Sequence, residues 1–92
     1  MAETPTYRID GAAFDDLGGF FDEIGEQLLA GAAWGRDLES LDDVLSGEVA
    51  PLPRELRLVW EHSDLSRRRL GTSFAELLEV IAAHPNVELV LS

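Results

Sequence analysis

The sequence predicts an α/β fold, a three-stranded parallel sheet flanked by about four helices, in a single domain spanning residues 1–92. Three observations predict it. Short runs of alternating apolar and polar residues occur near the start, past the middle and at the end of the chain. The segments between them carry the spacing of amphipathic helices, and helical crossovers join strands that run parallel with right-handed connections. A chain of 92 residues with 46% hydrophobic content can bury roughly 60–65% of its unfolded surface, enough for one modest core.

Residues 1–5 read as a polar tail. Tyr7 and Ile9 alternate with Arg8 and Asp10, and Gly11 ends this first strand. Asp15 or Asp16 can cap the next helix, in which Leu17, Phe20, Phe21, Ile24 and Leu28 form a core stripe. Gly18, Gly19 and Gly25 lie within it, each costing about 1 kcal/mol relative to Ala, so this helix depends on tertiary packing. A small-residue connection from Ala30 to Gly35 leads into a second helix, with Asp37 as N-cap and Gly47 just past the C-terminus. Leu38, Leu41 and Leu45 make its apolar stripe.

Pro51 and Pro53 then break the chain. Leu56, Leu58 and Trp60 alternate with Arg57 and Val59, a strand expected to be covered on both faces, as parallel strands commonly are. Ser63 is the expected cap of a short helix closed by Gly71. Ser73 to Glu76 has the form of a capping box, with Phe74, Leu77, Leu78 and Ile81 as the stripe that follows. Pro85 and Asn86 end that helix, and Val87, Leu89 and Leu91 form the last strand.

The net charge of −11 argues against nucleic-acid and anionic-membrane partners, which require clustered Lys and Arg, and favours a basic protein partner. With no cysteine, a disulfide framework, a thiolate metal site and a Cys nucleophile are excluded. No apolar run reaches the roughly 18 residues of a membrane span. Residues 1–8 lack the basic and apolar regions of a signal peptide, so the expected location is cytoplasmic.

Few residues suggest chemistry. His62, within Glu61-His62-Ser63-Asp64, and His84, before Pro85, could in principle act with a carboxylate. The first trio is contiguous, so its side chains diverge rather than converge. Both histidines are read as structural, at a strand end and a helix end. The segment 37–42 has Leu and Asp where a calcium loop needs an oxygen ligand and Gly, so no metal or cofactor is expected. Arg67-Arg68-Arg69 reads as a solvated face paired with nearby acids.

The second helix stands apart. From Arg36 to Glu48 there are one arginine and five acids, a net charge of −4. Glu39, Asp43 and Ser46 share a polar face, with Asp42 at its edge. Asp42 and Asp43 lie toward the C-terminal end, where the helix dipole disfavours them. Glu39 and Asp43 are like charges one turn apart, at a cost of roughly 0.2–0.5 kcal/mol. A positively charged partner would account for this arrangement.

The run Trp34-Gly35-x-Asp37-Leu38-x-x-Leu41-x-Asp43-x-Leu45-Ser46-Gly47 resembles the binding segment of the barstar family, intracellular inhibitors of small secreted bacterial ribonucleases. Tyr7-Arg8-Ile9-Asp10-Gly11, Leu58-Val59-Trp60 and Val90-Leu91-Ser92 resemble the family's first strand and turn, its second strand and its C-terminus. The resemblance implies a non-enzymatic inhibitor forming a 1:1 complex with a guanyl-specific microbial ribonuclease, whose basic cleft it blocks by mimicking RNA phosphate. Carried over by position, Asp43 stands where the phosphate would lie, with Glu39 and Ser46 flanking it. Gly35 and Gly47 allow close backbone approach, and Glu79 is an acidic rim contact. The implied partner-facing set is Trp34, Gly35, Asp37, Leu38, Glu39, Asp42, Asp43, Ser46, Gly47 and Glu79. Family members often carry aromatics at the positions of Ala33 and Asp42, and Glu48 also replaces an aromatic, so the implied partner has a different rim. The rival reading is an immunity or antitoxin module of the same fold acting on another basic toxin. A small enzyme built on His62 or His84 is the third.

Overall fold

A computed structural model describes residues 4–92. Met1, Ala2 and Glu3, part of the expected polar tail, lie outside the described residues. The order is β1 (Thr6–Asp10), α1 (Leu17–Leu29), α2 (Leu38–Leu45), β2 (Leu56–Glu61), α3 (Ser63–Leu70), α4 (Thr72–Ala82) and β3 (Val87–Leu91). The strands form one sheet in the order β1-β2-β3, and both pairings are parallel. This is the expected three-stranded α/β architecture with four helices.

Register decides which side chains share a face. Ile9 pairs with Trp60, Tyr7 with Leu58, and Leu56 with Val87. These residues and Leu89 therefore point to one side, where α1 packs on β1 and α4 on β3. Helix α2 lies against α4. The opposite face differs from the expectation of a strand covered on both sides. It carries Arg8, Arg57, Glu61 and Glu88, tied across strands by Arg57–Glu88 at 2.7 Å and Arg8–Glu61 at 3.9 Å. Val59 is buried on that side, while its neighbours from the flanking strands are half-buried or exposed. All four helices sit on one side, so the alternation within Leu56–Glu61 marks a strand with one polar face.

Trp60, fully buried, is the centre of the core. Phe20 stacks on it with ring centroids 5.0 Å apart, and Phe74 lies at the same distance, tilted. Its indole Nε1–H donates to the hydroxyl of Ser66 at 2.9 Å. Ser66 is the buried polar side chain of this core and has no exposed surface. Replacing it by Ala leaves a buried donor without an acceptor, at a cost of about 1–3 kcal/mol. Ser66→Ala is expected to lower the unfolding free energy by that amount, read as a lower denaturant midpoint at an unchanged m-value, and an unchanged midpoint would show that Trp60 finds another acceptor.

Two helix starts differ from the sequence reading. Helix α3 is entered through His62, which has φ 55° and no side-chain cap. The Ser63 hydroxyl donates instead to the carbonyl of Ser92 at 3.1 Å, joining the start of α3 to the end of β3. Helix α4 begins at Thr72 straight after Gly71, so the expected capping box is already inside the helix. Gly71, with φ 59°, turns the chain abruptly enough to leave no separate cap residue. The basic run on α3 also pairs less with acids than expected. Arg68 faces Asp64, but Arg67 lies over the Phe74 ring and Arg69 donates to the Phe14 carbonyl.

Candidate functional site

Helix α2 and the loop before it form the candidate site. The helix has eight residues, too few to be stable alone, and is held at both ends. At its start the Asp37 carboxylate accepts the Ser40 N–H at 2.7 Å. At its end Gly47, with φ 81°, donates to the Val44 carbonyl, and Glu48 N–H donates to that of Asp43. These two bonds make a Schellman closure, which requires a residue with positive φ after the cap. Leu41, Val44 and Leu45 are buried, and Leu38 is half-buried against the same core.

The loop from α1 is fixed as firmly. Arg36 reaches back to α1, pairing with Asp22 at 2.5 Å and donating to the Gly18 carbonyl at 3.3 Å. Its backbone has φ 57°, an unfavourable conformation for a side chain that these contacts hold in place. Trp34 is half-buried, edge-on to Phe21 with centroids 5.6 Å apart. Its indole lies over Gly25, where a Cβ would stand 3.0 Å from Nε1. A glycine that weakens α1 in isolation thus makes room for this ring. Gly35 also has an internal reason. A Cβ there would collide with the Ser40 hydroxyl.

The expected polar face of α2 is present but uneven. Glu39 is exposed and Asp43 half-buried, and neither side chain has a hydrogen-bond or ion-pair partner among the described residues. Ser46 is exposed, and its hydroxyl donates to the Asp42 carbonyl at 2.9 Å. Asp42, at the edge of the face, accepts from His84 Nε2 at 2.7 Å. That imidazole is largely covered, with its side chain 11% exposed. Asn86 Nδ2 donates to the Leu45 carbonyl at 3.4 Å. The corner between α4 and β3 therefore clamps the C-terminal end of α2. Asp42 has a structural partner that sequence spacing did not reveal. Glu79 is exposed on α4, the helix against which α2 packs.

The arginines leave the face alone. Arg8, Arg57, Arg68 and Arg36 pair with Glu61, Glu88, Asp64 and Asp22, none of them on α2. The two histidines do not come together. His62 follows β2 and His84 precedes β3, so in a parallel sheet they lie at opposite ends. His62 Nδ1 is 3.0 Å from the Asp10 carboxylate. The Ala12 N–H, and then His62, hold the Asp10 carboxyl below the usual carboxylate range.

The Asp37 carboxyl is likewise lowered, first by the Ser40 N–H and then by the Ser40 hydroxyl. A lowered folded-state pKa contributes stability above the unfolded value and loses it as pH falls through the folded one. Asp37→Asn keeps an acceptor for the cap but removes the charge. Wild type is expected to melt above this variant at neutral pH, with the gap closing as pH falls through and below the ordinary carboxylate range. Thermal melts followed by circular dichroism check this, and a gap independent of pH would exclude the charged cap as its source.

Residues 4–86 match the family described as Barstar (barnase inhibitor). No curated protein matches the chain.

Proposed function

This chain belongs to the barstar family, and on that premise we propose that it inhibits a small guanyl-specific microbial ribonuclease in a 1:1 complex. Members of the family are inhibitors rather than enzymes, and the separated histidines fit that. The observation that carries the reading is the carboxylate pair Glu39 and Asp43, unpaired among the described residues, on a helix held at both ends. Like charges one turn apart repel, and a cationic cleft reverses the sign of that contribution. In the proposed complex Asp43 stands in for the scissile phosphate and faces the enzyme's catalytic cations. Glu39 and Ser46 flank it, Trp34, Gly35, Asp37 and Leu38 shape the approach, Gly47 closes the end, and Asp42 and Glu79 add to the field from the rim. Because the site is already ordered, little conformational entropy is lost on binding. We place this inhibition in the cytoplasm of the cell that secretes the enzyme.

The test is a titration of the protein into several guanyl-specific ribonucleases while RNA cleavage is followed. Stoichiometric loss of activity is expected with at least one. The association rate should fall about tenfold or more from low to high salt, since steering between a −11 inhibitor and a basic cleft is screened. Flat salt dependence would point to an apolar interface. Full activity with every enzyme would turn the assignment to an immunity protein of this fold acting on a different basic toxin.

A further inference from the structure

Beside the loop that carries Trp34 lies a cleft of about 420 Å³, walled by Asp22, Gly25, Glu26, Ala33, Trp34 and Arg36. Three features limit what could enter it. Its aromatic wall is the indole of Trp34, whose Nε1–H has no acceptor among the described residues. Its floor is smooth because Gly25 and Ala33 offer no bulk. Its two carboxylates are not equivalent. Asp22 is engaged by Arg36, while Glu26 is exposed and has no ion-pair or hydrogen-bond partner among the described residues. The cleft therefore carries one uncompensated negative charge next to an aromatic face.

We propose that this cleft is a subsite for one arginine side chain projecting from the partner protein, its stem along Trp34 and its guanidinium at Glu26. An arginine has an apolar stem for the indole, a planar cation that stacks on aromatic faces, and a fork of donors for a carboxylate. The cleft is continuous with the proposed interface, because Ala33 and Trp34 belong to the loop that leads into α2. The net charge of −11 selects partners rich in such side chains. Arg36 acts here as a positioning residue. By occupying Asp22 and tying the loop to the Gly18 carbonyl, it leaves Glu26 as the free carboxylate beside the indole. The occupant named here rests on the inhibitor reading, but the cleft can be tested without the enzyme.

The probe is N-acetyl-arginine methylamide, with the neutral isostere N-acetyl-citrulline methylamide as control, followed by the two indole N–H signals in NMR. Trp60, sealed in the core and bonded to Ser66, is the internal reference. The Trp34 signal should move saturably with the arginine probe and stay still with the citrulline probe, while Trp60 does not move. Glu26→Gln should weaken the response about fivefold. A Trp34 signal that ignores the arginine probe, or answers both probes alike, overturns the proposal. With a ribonuclease that the protein inhibits, Glu26→Gln and the cleft-filling Ala33→Trp should each raise Kd about fivefold. Inhibition with Kd unchanged in both variants removes the subsite and leaves the inhibitor reading standing. If no ribonuclease is inhibited, that reading fails and the NMR titration alone decides for or against the cleft.

Discussion

Asp43→Ala is expected to weaken the complex with the inhibited ribonuclease by about 2 kcal/mol or more, a rise in Kd of roughly thirtyfold, while the free protein stays folded. The two halves of this expectation have separate grounds. The Asp43 side chain has no hydrogen-bond or ion-pair partner among the described residues, so its removal breaks no polar interaction within the fold. What the fold uses at this position is the backbone carbonyl, which accepts from Glu48 in the closure of α2 and survives the substitution. Removing the charge also relieves the repulsion with Glu39, worth roughly 0.2–0.5 kcal/mol, so the melting temperature should hold or rise slightly. In the complex the balance is reversed, because an enzyme cation is left desolvated and without its counter-charge. Calorimetric titration gives Kd, and scanning calorimetry of the free protein gives the control. An unchanged Kd would remove Asp43 from the centre of the interface.

Leu41→Ala is expected to cost about 2–5 kcal/mol of folding stability, a large share of the total for a domain of this size. Leu41 is fully buried on the inner side of α2, between that short helix and α4. A helix of eight residues has little stability of its own, so the methyl groups of Leu41 carry much of what holds it down. Melting should fall by roughly 4–8 °C for each kcal/mol lost. Amide exchange in 38–46 should rise more than in β2, because α2 is short and packs on α4 while β2 is hydrogen-bonded on both sides within the sheet. Equal loss of protection in both elements would mean that α2 and the sheet open as one unit.

Much of this architecture is legible in the amino-acid order. The spacing of Leu17, Phe20, Phe21, Ile24 and Leu28 finds α1, and all of these but Leu17, which is half-buried at the helix start, are buried, with Gly25 and Leu29 added. Asp37 and Gly47 read correctly as the two ends of α2, since a cap and a C-terminal turn depend on bonds within a few residues. The outer face of the sheet was also written in the sequence, as the alternation of Arg57, Val59 and Glu61. The rule that parallel strands are covered on both sides obscured it. What local pattern cannot supply is contact between distant residues. Asp42 and His84 are separated by 42 positions, and no spacing rule links them. Ser66 looks like an ordinary polar residue of a basic helix until the fold brings Trp60 to it. Gly25 and Gly35 look like weak points until the Trp34 ring and the Ser40 hydroxyl are seen against them.

The clamp at the end of α2 has a consequence for how this surface can change over generations. The carboxylates of α2 fall into two groups. Asp42 is bound to His84, and the neighbouring Leu45 carbonyl is held by Asn86, so a change at 42 or at the 84–86 corner is felt by the scaffold and calls for a matching change across it. The carboxylates of Glu39 and Asp43 have no hydrogen-bond or ion-pair partner among the described residues and answer mainly to whatever stands opposite. Mutations at 39 and 43 can therefore track a drifting target without a folding penalty, while 42 and 84 should vary as a pair. A fold divided in this way can be retargeted one surface residue at a time.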